Sequence, residues 1–393
     1  MPPEDELCLL LARGQLSPGL RDRGLALLSG PLRWNLLLER AWGYDLFPLV
    51  YAGLRTLGFP AVPDQVRSLW TNIFRLNAIQ NELLARELAR MLRLIGEAGI
   101  PAMPLKGIAL AESLYGDTAL RVCADIDVLV PPKHAVAAFR VVVSSGYQPA
   151  FTQPRLLELM ARYGKDCMLM TRRDPVRGYL LELHLGLLWG GPLESDVLEE
   201  IWSEAVRKTF YGVPAFALSA EWEFLYLAMH ASRHGGPSLK WLMDLDRLCQ
   251  RGAIDWKKVN EKVKLLGWEA PIRSGLAACA SLFDTRADPA LGPIPPLARM
   301  PAPSGSPAVS EILFSLRMLK TPARRLRYLA IHLFVPTLAD CQFLPLPARL
   351  FFLYYALRPF RVAFRTAWWF GDAAFKKLRG ALRRRAENAD QHS

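Results

Sequence analysis

The stretch Asp125-Ile-Asp-Val-Leu-Val130 decides the fold, because it places two acids at the start of a run of strand-forming residues. Side chains alternate along a strand, so Asp125 and Asp127 point to one face while the apolar residues between and after them point to the opposite, buried face. Two prolines then close the strand. The sequence therefore predicts a strand that carries two carboxylates side by side.

Paired carboxylates are the ligands that two Mg²⁺ ions, about 3.5–4 Å apart, need in order to clamp the entering and leaving oxygens of a phosphoryl transfer. Asp125 and Asp127 are accordingly the candidate catalytic and metal-binding pair, with two Mg²⁺ as the expected cofactor. The Asp-x-Asp pattern alone is also typical of solvated or capping acids, so its neighbours in the sequence decide its meaning.

The segment before these acids has the order strand, glycine, helix. Ile100–Leu105 predicts a short strand at a sheet edge, since its two prolines cannot donate to a ladder, and Ile108–Tyr115 predicts a helix. The turn between them, Lys106-Gly107, would offer backbone N–H groups and a helix dipole to a phosphate. Lys106 could add its charge to a triphosphate, or it could be a surface lysine in a turn.

A third carboxylate is expected from a neighbouring strand. The stretch Leu180–Leu185 alternates so that Glu182 and His184 share one face, and Glu182 completes the candidate catalytic and metal set. The alternative is a strand with one wet face. His184 could orient a metal-bound acid or contact substrate, and Arg121 is a second candidate for the phosphates or a plain surface arginine.

The order of predicted elements gives an α+β fold with a small mixed sheet flanked by helices. Helices precede the sheet and a helical domain follows it. We expect five segments, which are a helical lead-in, the sheet core, a helical domain, a proline-rich linker and a basic amphipathic helical tail. They span 1–63, 64–218, 219–285, 286–307 and 308–393, respectively.

The 393 residues carry a formal net charge of +12, which favours anionic partners. Six scattered cysteines form no CxxC pair and no local zinc site, as expected of thiols in a reducing compartment. The acidic N-terminus does not resemble a secretory signal, and no stretch of about 18 apolar residues runs free of charge or proline. We therefore expect a cytoplasmic protein.

Aromatic residues and arginines are interspersed between residues 349 and 385. This pattern suits a helix lying on an anionic membrane, which would place the protein peripherally at the inner face. A basic helix packed on the protein's own core is an equal alternative. Nucleic acid is a third, but no recognisable binding module accompanies the basic residues.

Several of these motifs, taken in order, resemble the uncharacterised nucleotidyltransferase family of the polymerase-β superfamily. The resemblance covers about residues 30 to 285. It implies a small mixed sheet that holds a metal-bound NTP and a helical domain that closes over the nucleotide or acceptor. The matching motifs are Gly99–Gly107, Leu114–Gly116, Arg121, Asp125–Val130, Glu182–His184, Leu218-Ser219, Leu227–His230, His234 and Trp241–Asp244.

The resemblance implies that a further group of residues contacts the nucleotide or substrate: Lys106, Gly107, Arg121, His184, His230, His234 and Asp244. His230 and His234 are four residues apart on a predicted helix, and without an acid at the HExxH position substrate contact or helix-end packing is favoured over metal binding. Asp244 could instead be a solvated helix acid. The superfamily usually has a second glycine or a serine at the phosphate turn, where this chain has Ile108.

The expected reaction is attack by an acceptor hydroxyl or phosphate on the α-phosphorus of an NTP such as ATP, with release of pyrophosphate. A small molecule, peptide or glycan is favoured as the acceptor over nucleic acid. Two alternatives stay open. One is a non-catalytic nucleotide-binding adaptor at a membrane-associated assembly, and the other is a transferase that uses another activated phosphate or sugar donor.

Overall fold

The structure of the protein is a computed structural model. It describes residues 1–149, 154–163, 167–173, 178–187, 195–233, 239–286, 291, 312, 315–317, 319 and 321–364. The chain divides into two compact units, the first comprising residues 1–150 and 160–320 and the second residues 151–159 and 321–393. The five segment boundaries drawn from the sequence stay predictions.

The first unit begins with four short helices, as the clustered leucines predict. Helices α1 and α4 cross closely at Gly53. A Cβ atom on this residue would lie only 2.7 Å from the carbonyl oxygen of Leu11. Glycine is therefore required at that crossing. The helices are α1 (Pro3–Ala12), α2 (Pro18–Leu28), α3 (Trp34–Gly43) and α4 (Phe47–Thr56).

Apolar residues at helical spacing predict a helix over residues 64–98, and the long helix α5 (Asp64–Glu97) matches that span to within one residue. Gly99, with a φ of +71°, lets the chain reverse after the helix. The face of α5 that packs on the core is not entirely apolar, because Asn77 and Asn81 are buried on it.

A five-stranded mixed sheet forms the centre of the first unit, with strand order β1-β2-β5-β4-β3. The neighbours β2 and β5 are parallel, and the other pairs are antiparallel. This confirms the predicted α+β fold. The strands are β1 (Met103–Pro104), β2 (Ile126–Leu129), β3 (Gln148–Pro149), β4 (Cys167–Arg173) and β5 (Gly178–His184).

Strand β1 lies at the sheet edge, as its prolines predict, but it is only two residues long and not six. The ladder is short because proline has no N–H to donate. Strand β1 also meets a two-stranded hairpin, since Phe216 N donates to Ala102 O at 3.0 Å. That hairpin consists of β6 (Val206–Phe210) and β7 (Val213–Ala217).

Helices surround the sheet and continue after the hairpin. Within this group Asp255 caps one helix by accepting hydrogen bonds from two backbone N–H groups, and Gly267 ends the same helix in a left-handed conformation. The helices of the first unit are α6 (Lys106–Tyr115), α7 (Ala135–Ser144), α9 (Ser195–Ser203), α10 (Ala220–Arg233), α11 (Leu239–Gln250), α12 (Trp256–Leu266) and α13 (Glu269–Phe283). Helix α8 (Pro154–Tyr163) has its residues 154–159 in the second unit.

The second unit contains α14 (Pro322–Phe334), α15 (Leu338–Phe343) and a further helix over residues 353–364. Residues 365–385 of the predicted basic tail lie outside the described residues, as does nearly all of the proline-rich segment 286–307. Across the described part of the chain, no helix combines the length and the apolar character needed to cross a bilayer.

Candidate metal and nucleotide site

Two neighbouring parallel strands bring the central acids together. In the β2–β5 ladder Asp127 is paired with Glu182, and Leu129 is paired with His184. Side chains at paired positions of adjacent strands point to the same face. One ligand atom from each of Asp127, Glu182 and His184 consequently lies within 4.8 Å of the other two. The sheet thus presents two carboxylates and an imidazole at one point.

Asp127 is the centre of this cluster, with its side chain fully buried. Its Oδ1 accepts from Nε2 of His184 at 2.8 Å and lies 2.8 Å from Nζ of Lys106. Its Oδ2 is buried and has no hydrogen-bond partner among the residues that the structure describes. A buried carboxylate oxygen without a partner is costly, so this atom indicates a place for a cation or a donor.

Asp125 and Gly107 lie beside that oxygen. Gly107 has a φ of +54° and a ψ of −130°, so the first turn of α6 is broken at this residue. A Cβ atom there would lie 3.4 Å from the carbonyl oxygen of Asp125 and 3.7 Å from Oδ2 of Asp127. Glycine is favoured there by the positive φ, and the turn lies directly against both acids. The predicted contact of this turn with a phosphate stays a prediction.

Lys106 points toward the acids. Its ammonium lies 2.8 Å from Asp127 and 3.7 Å from Asp125, and its side chain is 15% exposed. Burial lowers the pKa of Lys106, but attraction to Asp127 and the nearby Asp125 outweighs burial, so the net pKa is raised. The lysine therefore stays charged and neutralises the acid pair. Its predicted contact with a triphosphate stays a prediction.

Hydrogen bonds set the charge states of the other two members of the cluster. Burial lowers the pKa of His184, but its hydrogen bonds to Asp127 and Glu182 raise the pKa to about 9. Burial raises the pKa of Glu182, but the hydrogen bond from His184 and the charge of Lys106 bring the pKa below its usual value. Glu182 is therefore an ionised carboxylate at neutral pH.

The donor set fits a divalent cation. Carboxylate oxygens are the preferred ligands of Mg²⁺, and imidazole beside carboxylates is typical of Mn²⁺ and Zn²⁺ sites. The unpartnered Oδ2 of Asp127 lies 3.7 Å from the Cβ position of Gly107. Asp125, Asp127 and Glu182 are thus the residues that could hold the ion, and His184 could join them once its Nε2 loses the proton that it donates to Asp127.

Arg121 and Asp244 lie together in a different arrangement. The guanidinium of Arg121 donates from Nε to Oδ1 of Asp244 at 3.0 Å and from Nη2 to Oδ2 at 2.7 Å, and both side chains are buried. The hydroxyl of Tyr115 donates to the same Oδ1 at 2.7 Å. These contacts give the pair a structural role, and its predicted contact with a nucleotide stays a prediction.

Of the two histidines that the sequence predicts to lie on one helix, the structure describes His230. His230 packs its ring edge-on against Trp241, with ring centroids 4.9 Å apart, and lies 5.9 Å from the ring of Tyr226. His234 lies outside the described residues. The packing of His230 fits the helix-end interpretation, and contact of either histidine with substrate stays a prediction.

Two kinds of residue near the site were missed from the sequence. Asn77 and Asn81 of α5 donate to backbone carbonyls of the loop that leads to the acids, including that of Arg121. The signal available in the sequence was the position of two asparagines on the apolar side of a predicted helix. Tyr226 is buried close to Lys106, and with it lines a small cavity between α6, the hairpin and α10. Nothing in its local sequence distinguishes it from a core tyrosine.

Comparison with known proteins adds the family. No curated protein matches the chain. Among solved structures, the chain is similar to the crystal structure of an antigenic nucleotidyltransferase-like protein from Paracoccidioides brasiliensis, with 13% sequence identity over 42% of this chain and 75% of that chain. The TM-score of 0.30 is too low to indicate a common fold.

The family model described as "uncharacterised nucleotidyltransferase" matches residues 30–284, which include both strands of the cluster and the turn at Gly107. The match covers more than half of the 393 residues. The protein whose β2 and β5 bring Asp127 beside Glu182 and His184 therefore belongs to the uncharacterised nucleotidyltransferase family.

Proposed function

We propose that the protein transfers a nucleoside monophosphate from an NTP to an acceptor hydroxyl or phosphate, in a reaction that depends on a divalent cation. The observation that carries the proposal is the buried, unpartnered Oδ2 of Asp127, next to Glu182 and to the glycine turn. Membership of the nucleotidyltransferase family supports the class of reaction.

Asp125, Asp127 and Glu182 would hold Mg²⁺, two ions in the full proposal, and His184 would orient Asp127 through its 2.8 Å hydrogen bond. When bound, the cation supplies charge neutralisation and Lewis acidity at the phosphates. Lys106 would turn from the acids to the phosphates of the leaving group, because the bound cation would then balance the charge of the carboxylates. Glu182, which is ionised, would accept the proton of the acceptor.

The acceptor would enter beside helix α10, which lines the cavity at Lys106 through residues such as Tyr226. A small molecule, a peptide or a glycan fits the proposal better than nucleic acid, because the described part of the first unit contains no recognisable nucleic-acid-binding module. The helical segment would select the acceptor, while the sheet residues perform the transfer.

The test is incubation of the full chain with each of the four α-labelled NTPs, Mg²⁺ and a panel of acceptors, with pyrophosphate release as the readout. Parallel titrations with Mn²⁺ measure cation binding by electron paramagnetic resonance. Asp127→Asn and Glu182→Gln should abolish both signals, whereas Glu97→Gln, an exposed acid at the end of α5, should change neither. Metal-dependent nucleotide binding that survives Asp125→Ala with Asp127→Ala would contradict the proposal.

The ion pair of Lys106 with the two acids favours a second candidate function, that of a non-catalytic adaptor. An acid pair that an ammonium already neutralises can persist without a cation, so the chain could bind nucleotide as a non-catalytic adaptor. Such a protein would bind NTP in the same titration and release no pyrophosphate.

A transferase for another activated phosphate or sugar donor would instead be stabilised by that donor in a thermal-shift screen, since a ligand stabilises the state that binds it.

A further inference from the structure

The second unit displays an unusual share of the exposed apolar surface. Among the described residues, eighteen large apolar side chains are exposed, and eleven of them lie between residues 326 and 364. The most exposed are Leu326 at 70%, Phe343 at 70% and Phe360 at 76%. A concentration of exposed apolar side chains in one short segment marks a contact surface for a partner.

Helix α14 shows how this surface is built. Leu326, Leu329 and Leu333 are spaced by three and four residues, so they form a stripe along one side of the helix, and all three are exposed. The opposite side is the one that packs inward, through Tyr328. The helix therefore has a second apolar face that the described residues do not cover.

Arginines flank that stripe. At 100° per residue, Arg325 and Arg327 fall on either side of the Leu326 position, and both are exposed. Long arginine side chains at the edge of an apolar stripe can reach headgroups while the stripe enters the acyl region. This is the side-chain arrangement of a helix lying in a membrane interface.

The helix at residues 353–364 repeats the pattern. Phe360 and Phe364 are exposed and lie one turn apart, and Phe352, just before the helix, is exposed as well. Arg349 precedes them and is exposed. Aromatic residues are favoured at the level of the lipid headgroups, because their rings are compatible with both environments there.

The charge of the segment is strongly one-sided. Residues 321–364 contain six arginines and a single acid, Asp340. That acid is buried and forms ion pairs with Arg358 and Arg361. The four remaining arginines lie at exposed positions, and six arginines against one aspartate give residues 321–364 a formal net charge of +5. A segment that is apolar at its surface and strongly cationic is complementary to an anionic bilayer and disfavours contact with a second copy of itself.

We infer that the exposed faces of α14 and of residues 352–364 bind the surface of an anionic phospholipid bilayer. The helices would lie in the plane of the interface with their apolar side chains inserted and their arginines on the phosphates. The inference is independent of the nucleotidyl transfer proposed for the first unit, because the residues that carry it belong to the second unit.

Co-sedimentation of the full chain with vesicles tests this inference. We expect binding to vesicles of phosphatidylcholine mixed with phosphatidylglycerol to be about tenfold or more tighter than binding to phosphatidylcholine alone, and to weaken as salt is added. Equal binding to both vesicles, or binding to neither, would overturn the inference, and this comparison needs no variant.

Variants then locate the surface. Arg325→Glu with Arg327→Glu should reduce the affinity for the mixed vesicles by about tenfold or more, and Leu326→Ser with Phe360→Ser should do the same. The matched controls lie on α5, where Leu76→Ser with Ile79→Ser changes equally exposed apolar residues and Arg75→Glu with Arg93→Glu changes exposed arginines. The controls should bind vesicles as the unmodified chain does.

Two results would contradict the location. One is vesicle binding that is lost equally in the α5 controls. The other is loss of self-association in Leu326→Ser with Phe360→Ser, measured by sedimentation velocity, with vesicle binding unchanged, since a second copy would then be the occupant. Circular dichroism confirms that each variant keeps its helical content.

Discussion

The guanidinium of Arg121 and the carboxylate of Asp244 form a two-point ion pair inside the first unit, although 123 residues separate them in the chain. The pair ties the loop before β2 to helix α11, and Tyr115 at the end of α6 donates to the same carboxylate. Three elements thus meet at Asp244, and Asn81 of α5 holds the same loop by donating to the carbonyl oxygen of Arg121.

Removing one member of this pair should destabilise the first unit strongly. Asp244→Ala leaves a buried arginine without its partner, which costs about 3–5 kcal/mol. Urea unfolding followed by tryptophan fluorescence measures the change. The matched control is Glu82→Ala, which breaks the exposed pair with Arg86 and should cost less than about 1 kcal/mol. Equal costs for the two variants would show that the Arg121–Asp244 pair does not stabilise the fold.

Asn81 should matter more than its size suggests. Its amide donates to the carbonyl oxygens of Thr118 and Arg121, so Asn81→Ala removes a donor from Thr118 O and leaves Arg121 O with the amide of Asn77, at a cost of about 1–3 kcal/mol. Because the same loop ends at Asp125, cation affinity should fall as well. Urea unfolding and the Mn²⁺ titration measure the two effects. Gln65→Ala, at an exposed position of the same helix, should leave both unchanged.

Gly107 should tolerate no side chain. Its backbone conformation is accessible to glycine alone at low energy, so Gly107→Ala should cost about 1–3 kcal/mol and alter the backbone of the turn that lies against Asp125 and Asp127. A lower thermal midpoint and weaker Mn²⁺ binding are the expected results. Gly19→Ala is the control, because nothing lies near its Cβ position in α2 and alanine favours a helix. Unchanged cation binding in Gly107→Ala would argue against the glycine turn as part of the site.

The second unit should lose stability in acid through Asp340. Burial raises the pKa of Asp340, but hydrogen bonds from Arg361 and Thr337 outweigh burial, so the pKa lies below its ordinary value of 3.8. A carboxyl whose pKa is lower in the folded state stabilises that state above pH 3.8, and this stabilisation disappears as the pH falls through the folded pKa. Asp340→Asn should therefore be less stable than the unmodified chain at pH 7, and the difference should vanish in strong acid.

Circular dichroism during urea unfolding at a series of pH values checks the Asp340 prediction. The control is Asp64→Asn, at an exposed position in the first unit, which should follow the unmodified chain at every pH. A stability difference for Asp340→Asn that stays constant from neutral pH to strong acid would contradict the linkage.

The part of the fold that depends on local pattern could be predicted from the sequence. The alternation around Asp127 and Glu182 placed each acid on one face of a strand, and the apolar stripe of α5 gave its span to within one residue. The prolines near Met103 indicated an edge strand. These features depend on residues close together in the chain, where periodicity carries the information.

The contacts between distant residues could not be predicted in the same way. Nothing in the sequence shows that Lys106 pairs with the acids, or that Arg121 pairs with Asp244 on a helix far along the chain. An arginine on a phosphate and an arginine on a buried acid have the same local sequence. The register that sets Asp127 opposite Glu182 is likewise a property of the folded sheet, decided by which faces become buried.

The strand order has a consequence for how the chain can vary. Strands β2 and β5 are direct neighbours, while β3 and β4 lie on the far side of β5, so the intervening polypeptide makes an excursion and returns. Ladder hydrogen bonds, and not the length of that excursion, fix the spacing of Asp127 and Glu182. Evolution can therefore lengthen or shorten the connections of the excursion, and an engineer can graft a reporter domain into one of them, while the two acids keep their spacing.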